Sequence, residues 1–167
     1  DKAILEALEK PEHKIFFQRE ANYDQLQGEF EHDFYTILDK ADEVEFTPVK
    51  STHPLYILYT SGTTGTPKGI VRDTGGYATA LKYTMKNIYN IEQGEVYWAA
   101  SDVGWVVGHS YIVYAPLIHG CTTVLYEGKP IGTPDAGAFW RVIEQHQVKT
   151  LFTAPTAIRA IKKEDSE

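Results

Sequence analysis

The sequence predicts an α/β fold in which a mainly parallel sheet is flanked by helices. Three observations carry this. Short apolar, β-branched runs alternate along the chain with segments whose apolar residues recur at helical spacing. The polar segments of interest directly follow those runs, as they do where ligands sit at the carboxyl ends of parallel strands. A chain of 167 residues, 43% hydrophobic and 23% charged, can bury one good core, so one domain is the prior.

In chain order, residues 1–10 begin inside a helical pattern, with Ile4, Leu5 and Leu8 on one face. Residues 15–17 read as a short strand, and Phe34, Ile37 and Leu38 mark a short helix. Residues 41–52 form a polar, proline-containing connector. Residues 55–60 are a strand. Tyr77, Ala80, Leu81, Thr84, Met85 and Ile88 define an amphipathic helix over about residues 75–89, with Asp73 or Thr74 as its N-cap. Residues 96–99 read as a strand, and 108–118 as a buried helix ended near Gly120. Residues 122–126 read as a strand. Thr133 and Pro134 are expected to open a helix with cap and first-position proline, its apolar face formed by Phe139, Trp140, Ile143 and His146. Residues 148–152 form a strand, and Pro155 opens the last helix. Residues 1–53 are expected to be a preceding α/β segment with its connector, and 54–167 the central part of the domain.

The most informative stretch is Thr60-Ser61-Gly62-Thr63-Thr64-Gly65-Thr66-Pro67-Lys68-Gly69. Glycines permit positive φ and close approach of a ligand to the backbone. Successive N–H groups in such a turn form an anion-binding concavity, the hydroxyls add donors, and Lys68 adds a compact positive charge. The chemistry implied is a loop that grips a polyphosphate. It is not a Walker loop, which requires G-x-x-x-x-G-K-[ST]. Counted from Gly62, Pro67 occupies the second glycine position and Gly69 stands where Ser or Thr is needed.

The second stretch runs from Ala100 to Tyr111: Ala-Ser-Asp-Val-Gly-Trp-Val-Val-Gly-His-Ser-Tyr. It reads as a strand end, a glycine-hinged turn and a helix start. Asp102 and His109 could pair for catalysis or could be hydrogen-bonded structural groups. Trp105, Val106 and Val107 make a small apolar wall, either core or pocket. The phosphate loop, residues 101–109 and residues 153–156 all follow strands and are expected to converge on one sheet edge.

A net charge of −7 disfavours nucleic acid and anionic membrane surfaces. No apolar stretch approaches the length of a membrane span. The lone Cys121 has no internal disulfide partner, which fits a reducing, intracellular setting, cytoplasm or mitochondrial matrix alike. The chain starts at Asp1 without a signal or transit pattern, and neither end carries a natural boundary, so an excerpt of a longer protein is expected.

The loop Tyr59-Thr60-Ser61-Gly62-Thr63-Thr64-Gly65-Thr66-Pro67-Lys68-Gly69 resembles the signature loop of the adenylate-forming superfamily, which closes over the β- and γ-phosphates of ATP. Asp102-Val103-Gly104-Trp105-Val106-x-Gly108-His109-Ser110-Tyr111 is similar to the short-chain acyl-CoA synthetase branch, which includes acetyl- and propionyl-CoA synthetases. So are Thr74-Gly75-Gly76-Tyr77, Tyr126-Glu127-Gly128 and Thr153-Ala154-Pro155-Thr156-Ala157-Ile158-Arg159. The resemblance is strong over about residues 54–161 and loose before them. It implies part of the large N-terminal domain of an adenylate-forming enzyme.

The resemblance implies activation of a short carboxylic acid with ATP and Mg²⁺ to an acyl-adenylate, then transfer to CoA. It implies that Thr60, Ser61, Gly62, Thr63, Thr64, Gly65, Thr66, Lys68 and Gly69 hold the ATP phosphates, with Lys68 supplying electrostatic catalysis. Trp105, Val106 and Val107 would bound the acyl group. Val107, Ile131 and Ala154 would face CoA. Acetate enzymes usually carry Thr at the Val107 position, and the Val-Val pair resembles propionyl-CoA synthetases, as does Thr133-Pro134-Asp135-Ala136-Gly137. Ile131 replaces an Asn that often contacts CoA in acetate enzymes. No metal ligand is expected here. The family's adenine, ribose and magnesium segments and its C-terminal catalytic lysine have no counterpart in these residues, so the remainder of a parent enzyme is an implied partner. Two alternatives stay open: another adenylating enzyme, such as a medium-chain synthetase or peptide-synthetase adenylation domain, or a non-catalytic fragment.

Overall fold

The computed structural model describes residues 11–19, 25–26, 28–60 and 65–165. The helix expected over residues 1–10, and Ser61, Gly62, Thr63 and Thr64 of the loop, lie outside the described residues. The chain divides into two compact units, Asp1–Pro48 and Val49–Glu167.

In the first unit, β1 (Lys14–Phe16) pairs in parallel with β2 (Glu31–Asp33), Ile15 opposite His32. Lys14 Nζ meets Glu31 Oε1 at 2.8 Å across the pair. Helix α1 (Phe34–Leu38) follows at once because the Asp33 carboxylate accepts from Thr36 N at 2.9 Å, satisfying an N–H that the first helical turn leaves open. That bond holds the Asp33 carboxyl below its usual range.

The second unit opens with an antiparallel hairpin, β3 (Pro54–Thr60) and β4 (Lys68–Asp73), with Thr60 opposite Lys68. Lys68 and Gly69, read from the sequence as part of the loop, therefore stand on a strand. The reason lies in Ile70 and Val71, whose branching favours extended backbone, and in the short connection that suffices for an antiparallel return.

Asp73 ends β4 and caps α2 (Thr74–Asn87), accepting from Gly76 N at 3.0 Å. Tyr77, Leu81 and Met85 recur every four residues and are the buried face of α2. Ile88, placed on that face by spacing alone, is 66% exposed because α2 has already ended.

A three-stranded parallel sheet follows, in the order β6 (Thr122–Thr123), β5 (Val96–Ala100), β7 (Val148–Thr153). The central strand is buried on both faces, and the period of two sorts its side chains. Tyr97 and Ala99 join Leu81, Met85, Ile91 and Ala115 in one core; Trp98 joins Phe139 and Ile161 in another.

Helix α3 comprises three continuous pieces: Val106–Gly108, a π-helical segment His109–Tyr114, and Ala115–His119. In the middle piece the bonding steps to five residues, Ala115 N donating to Ser110 O. Gly120 at φ 84° ends it, a left-handed cap that suits glycine. Val124 N still bonds Tyr97 O at 3.1 Å, but beyond it the expected strand to residue 126 breaks off. Leu125 is 76% exposed, and the Tyr126 hydroxyl donates to Thr133 O at 2.9 Å instead.

The helix expected to open at Thr133 and Pro134 opens later, as α4 (Ala138–His146) with Gly137 at the cap position. Thr133 Oγ1 is turned back to Lys129, accepting from its N–H at 2.6 Å and donating to its carbonyl at 2.8 Å, so it caps nothing ahead. Ala138 and Phe139 are buried, with Val142 and Ile143 packed beside them; Trp140 and His146, assigned to the apolar face from spacing, are exposed. Pro155 opens α5 (Pro155–Glu164) as read.

The core is rich in groups kept neutral by burial. Burial pushes Tyr77 and Tyr97 well above their ordinary range, Tyr89 up to about 12, and the Cys121 thiol above its usual 9.0. All four are raised in the fold, so the stability they confer is complete below the unfolded values of 9.0 and 10.0 and is lost as pH rises through the folded values. Chemical denaturation midpoints should be flat across pH 7 to 8 as far as these groups act, then fall from pH 9 upward. A Tyr89→Phe variant should show a shallower fall.

Candidate ligand-binding site

A cavity of about 550 Å³ opens beyond the carboxyl ends of β5 and β7. Three connections wall it: Ser101 to Val103 with Trp105 after β5, Val124 to Pro130 after β6, and Ala154 after β7. Trp98, Phe139 and Ile112 line it from the cores. Such a concave, largely apolar chamber with a few polar groups at its rim, at the carboxyl edge of a parallel sheet, suits a small organic ligand.

The turn after β5 is rigid for local reasons. Asp102 Oδ1 accepts from Gly104 N at 2.7 Å, and Trp105 N donates to Asp102 O at 3.2 Å. The turn lies directly on the helix it precedes: a Cβ on Gly108 would run into the Asp102 carbonyl oxygen and the Val103 Cα. Asp102 and His109 are not paired. The His109 ring faces the Trp105 carbonyl at 3.4 Å and Tyr56 at 5.5 Å between centroids.

Trp105 is 65% exposed and lines the cavity. Val106 is half-buried and Val107 exposed on the first turn of α3; neither is among the lining residues. Ala154 lines the cavity, in extended conformation at the start of α5. Ile131 packs instead against the core of Trp98, Phe139 and Ile161.

The described part of the Thr/Gly-rich loop sits at the end of the hairpin. Gly65 has φ 80°, and Thr66, Pro67, Lys68 and Gly69 are exposed. Thr60 is half-buried opposite Lys68. The cavity thus gathers the segments after β5 and β7, and none of Thr60, Gly65, Thr66, Lys68 or Gly69 lines it. Among the described residues no group of three His, Cys, Asp or Glu side chains could hold a metal ion. No helix among them is long and apolar enough to cross a membrane.

Two features escape sequence reasoning. The wall from Val124 to Pro130 falls partly where a strand was expected, so its irregular path had no signal beyond Gly128 and Pro130. A set of buried hydroxyls also joins the hairpin, α2 and α3. The Tyr56 hydroxyl donates to that of Tyr77 at 2.9 Å, and Tyr77 Oη lies 2.7 Å from Ser110 Oγ. Its signal was the tyrosine on an otherwise apolar helix face, because the hydroxyl of a buried tyrosine usually has a partner.

A family profile described as AMP-binding enzyme matches residues 2–167. An uncharacterized protein of Pseudomonas aeruginosa is 57% identical over 165 residues, 99% of this chain and 26% of its own length. The mitochondrial acyl-CoA synthetase short-chain family member 3 of Mus musculus is 69% identical over 126 residues, 75% of this chain and 18% of its own. The propionate–CoA ligase of Salmonella typhimurium is 46% identical over 166 residues, 98% of this chain and 26% of its own. The chain therefore spans 18% to 26% of the length of these relatives.

Gly108→Ala should displace the turn bearing Trp105, because the clash is with backbone and no side chain can yield. Overpacking of this kind costs about 1–3 kcal/mol. Gly104→Ala, whose added Cβ would meet only the Asp102 carboxylate at 3.0 Å, should cost less in the same denaturation experiment.

Proposed function

This chain belongs to the AMP-binding enzyme family, and from that premise we propose that its parent protein is an AMP-forming acid–thiol ligase. It activates propionate or a similar short carboxylate with ATP to an acyl-adenylate and transfers the acyl group to CoA. The similarity to a propionate–CoA ligase over 98% of the chain is the observation that carries this reading. The apolar cavity beside Trp105 supports it with room for a small acyl group.

In the first step the carboxylate oxygen attacks the α-phosphorus of ATP, and the bond to the β-phosphate oxygen breaks, releasing pyrophosphate. Negative charge gathers on the departing phosphates. We assign Lys68, with the hydroxyls and N–H groups of Thr60, Ser61, Gly62, Thr63, Thr64, Gly65, Thr66 and Gly69, to stabilising that charge. Fixed donors aimed at developing charge are commonly the largest single contribution to catalysis. In the second step the CoA thiol attacks the acyl carbon and AMP leaves. In this reading Trp105, with Val106 and Val107 next to it on the first turn of α3, bounds the acyl group, and Val107, Ile131 and Ala154 lie toward CoA, Ala154 being the one of those three that lines the cavity. Mg²⁺ would offset phosphate charge when bound, and among the described residues no group of three His, Cys, Asp or Glu side chains stands ready to hold it. The single, buried Cys121 and mitochondrial relatives support an intracellular, reducing setting.

In the parent protein, Lys68→Ala should slow pyrophosphate exchange by about 10²–10³-fold, the usual loss for one such donor. Thioester formation from preformed acyl-adenylate should persist, because pyrophosphate has already left. Equal loss in both half-reactions makes Lys68 structural. Val107→Gly should shift preference toward longer acids, since each methylene in an apolar pocket is worth about 1–3 kcal/mol. Competition among acetate, propionate, butyrate and valerate reads this directly, and an unchanged ranking refutes it.

A further inference from the structure

Helix α3 carries a six-residue π segment, His109–Tyr114, immediately after Trp105 to Val107. A π turn spaces its hydrogen bonds five residues apart, is rare, and concentrates at functional sites. It needs support from its surroundings. Two residues inside this segment receive it from α2. Ser110, 5% exposed, lies 2.7 Å from the Tyr77 hydroxyl. The Tyr111 hydroxyl lies 3.0 Å from Thr84 Oγ1. Thr84 Oγ1 spends its own hydrogen on Leu81 O at 2.9 Å, so Tyr111 is the donor. Tyr77 and Thr84 are seven residues apart, two turns of one helix face. They engage consecutive residues of the π segment. Tyr56 completes the support by donating to Tyr77 at 2.9 Å and stacking on Tyr114 at 5.8 Å between centroids, while Arg72 lies 5.7 Å from the Tyr77 ring.

We propose that Tyr77 and Thr84 are positioning residues whose hydroxyl bonds to Ser110 and Tyr111 hold α3 in its π register and thereby set where Trp105, Val106 and Val107 present their side chains. The far end of α3 is anchored by buried Ala115, Pro116 and His119. A π segment holds one residue more than the α turn it replaces. Reverting to α with that end fixed turns the near end by about 100°, one residue's rotation. The wall of Trp105 to Val107 would be carried with it. The consequence for acyl selection rests on the proposed ligase reading; the register itself does not.

The test is the double variant Tyr77→Phe with Thr84→Val in the parent protein, which retains both side-chain shapes and removes both bonds to α3, together with the bond from Tyr56 to Tyr77. A crystal structure of it should show α3 bonded four residues apart through His109 to Tyr114, with Trp105 displaced. In kinetics the KM for propionate should rise about tenfold, the scale of one or two lost buried hydrogen bonds, with KM for ATP little changed and the ranking of acids altered. Ser110→Thr, which keeps the hydroxyl, should retain the wild-type ranking. Should the double variant not fold, Thr84→Val alone takes its place, with the same expected direction. A retained π segment overturns the inference, as does an equal loss for every acid and for ATP. A wild-type parent that activates no short acid would refute the ligase reading, and the crystal structure would still decide the register.

Discussion

A buried tyrosine hydroxyl usually finds a partner, and in the second unit one such group, that of Tyr77, joins three elements. Tyr77 lies on α2 with 8% exposure, and its ring could be placed by apolar packing alone. Its oxygen cannot. It accepts from Tyr56 on β3 and reaches Ser110 in α3, so three elements far apart in sequence meet at one atom. Leaving such a group unpaired costs about 1–3 kcal/mol, which gives the junction a directional strictness that apolar contacts lack. The hairpin that ends in the Thr/Gly-rich loop and the helix that begins beside the cavity are thereby held to a common reference.

The parallel sheet supplies the second constraint. Its central strand, Val96–Ala100, is covered on both sides, so alternate residues enter different cores. Tyr97 packs with Met85 and Ile91; Trp98 packs with Phe139 at 4.7 Å between ring centroids. Both faces being filled, the open edge is left at the carboxyl ends of the strands. There the register sets Ala100 opposite Thr153, which brings the turn bearing Trp105 beside Ala154. The cavity follows from that pairing and from the departure of the chain after Thr123.

Most elements are legible in the residues because their signals are local. The four-residue spacing of Tyr77, Leu81 and Met85 defines α2, Asp73 marks its start, Gly120 marks the end of α3, and Pro155 opens α5. The misreadings share a cause. Thr133 and Pro134 have the residue types of a helix start, but the Thr133 hydroxyl is taken by Lys129. Lys68 and Gly69 read as loop from their glycine-rich neighbourhood, and pairing with Thr60 and Tyr59 makes them the start of a strand.

What the sequence by itself determined is the class of the fold, the family, and the two stretches in which the chemistry is concentrated. Spacing, capping residues and motif order are properties of neighbouring residues and survive without three-dimensional information. What only the tertiary structure decided is the antiparallel return of Lys68, the wall from Val124 to Pro130, the separate placement of Trp105 and Ile131, and the π register of His109–Tyr114. Each depends on which partner a backbone or hydroxyl group finds across the fold. Several partners are chemically equivalent along the chain, and packing alone selects among them.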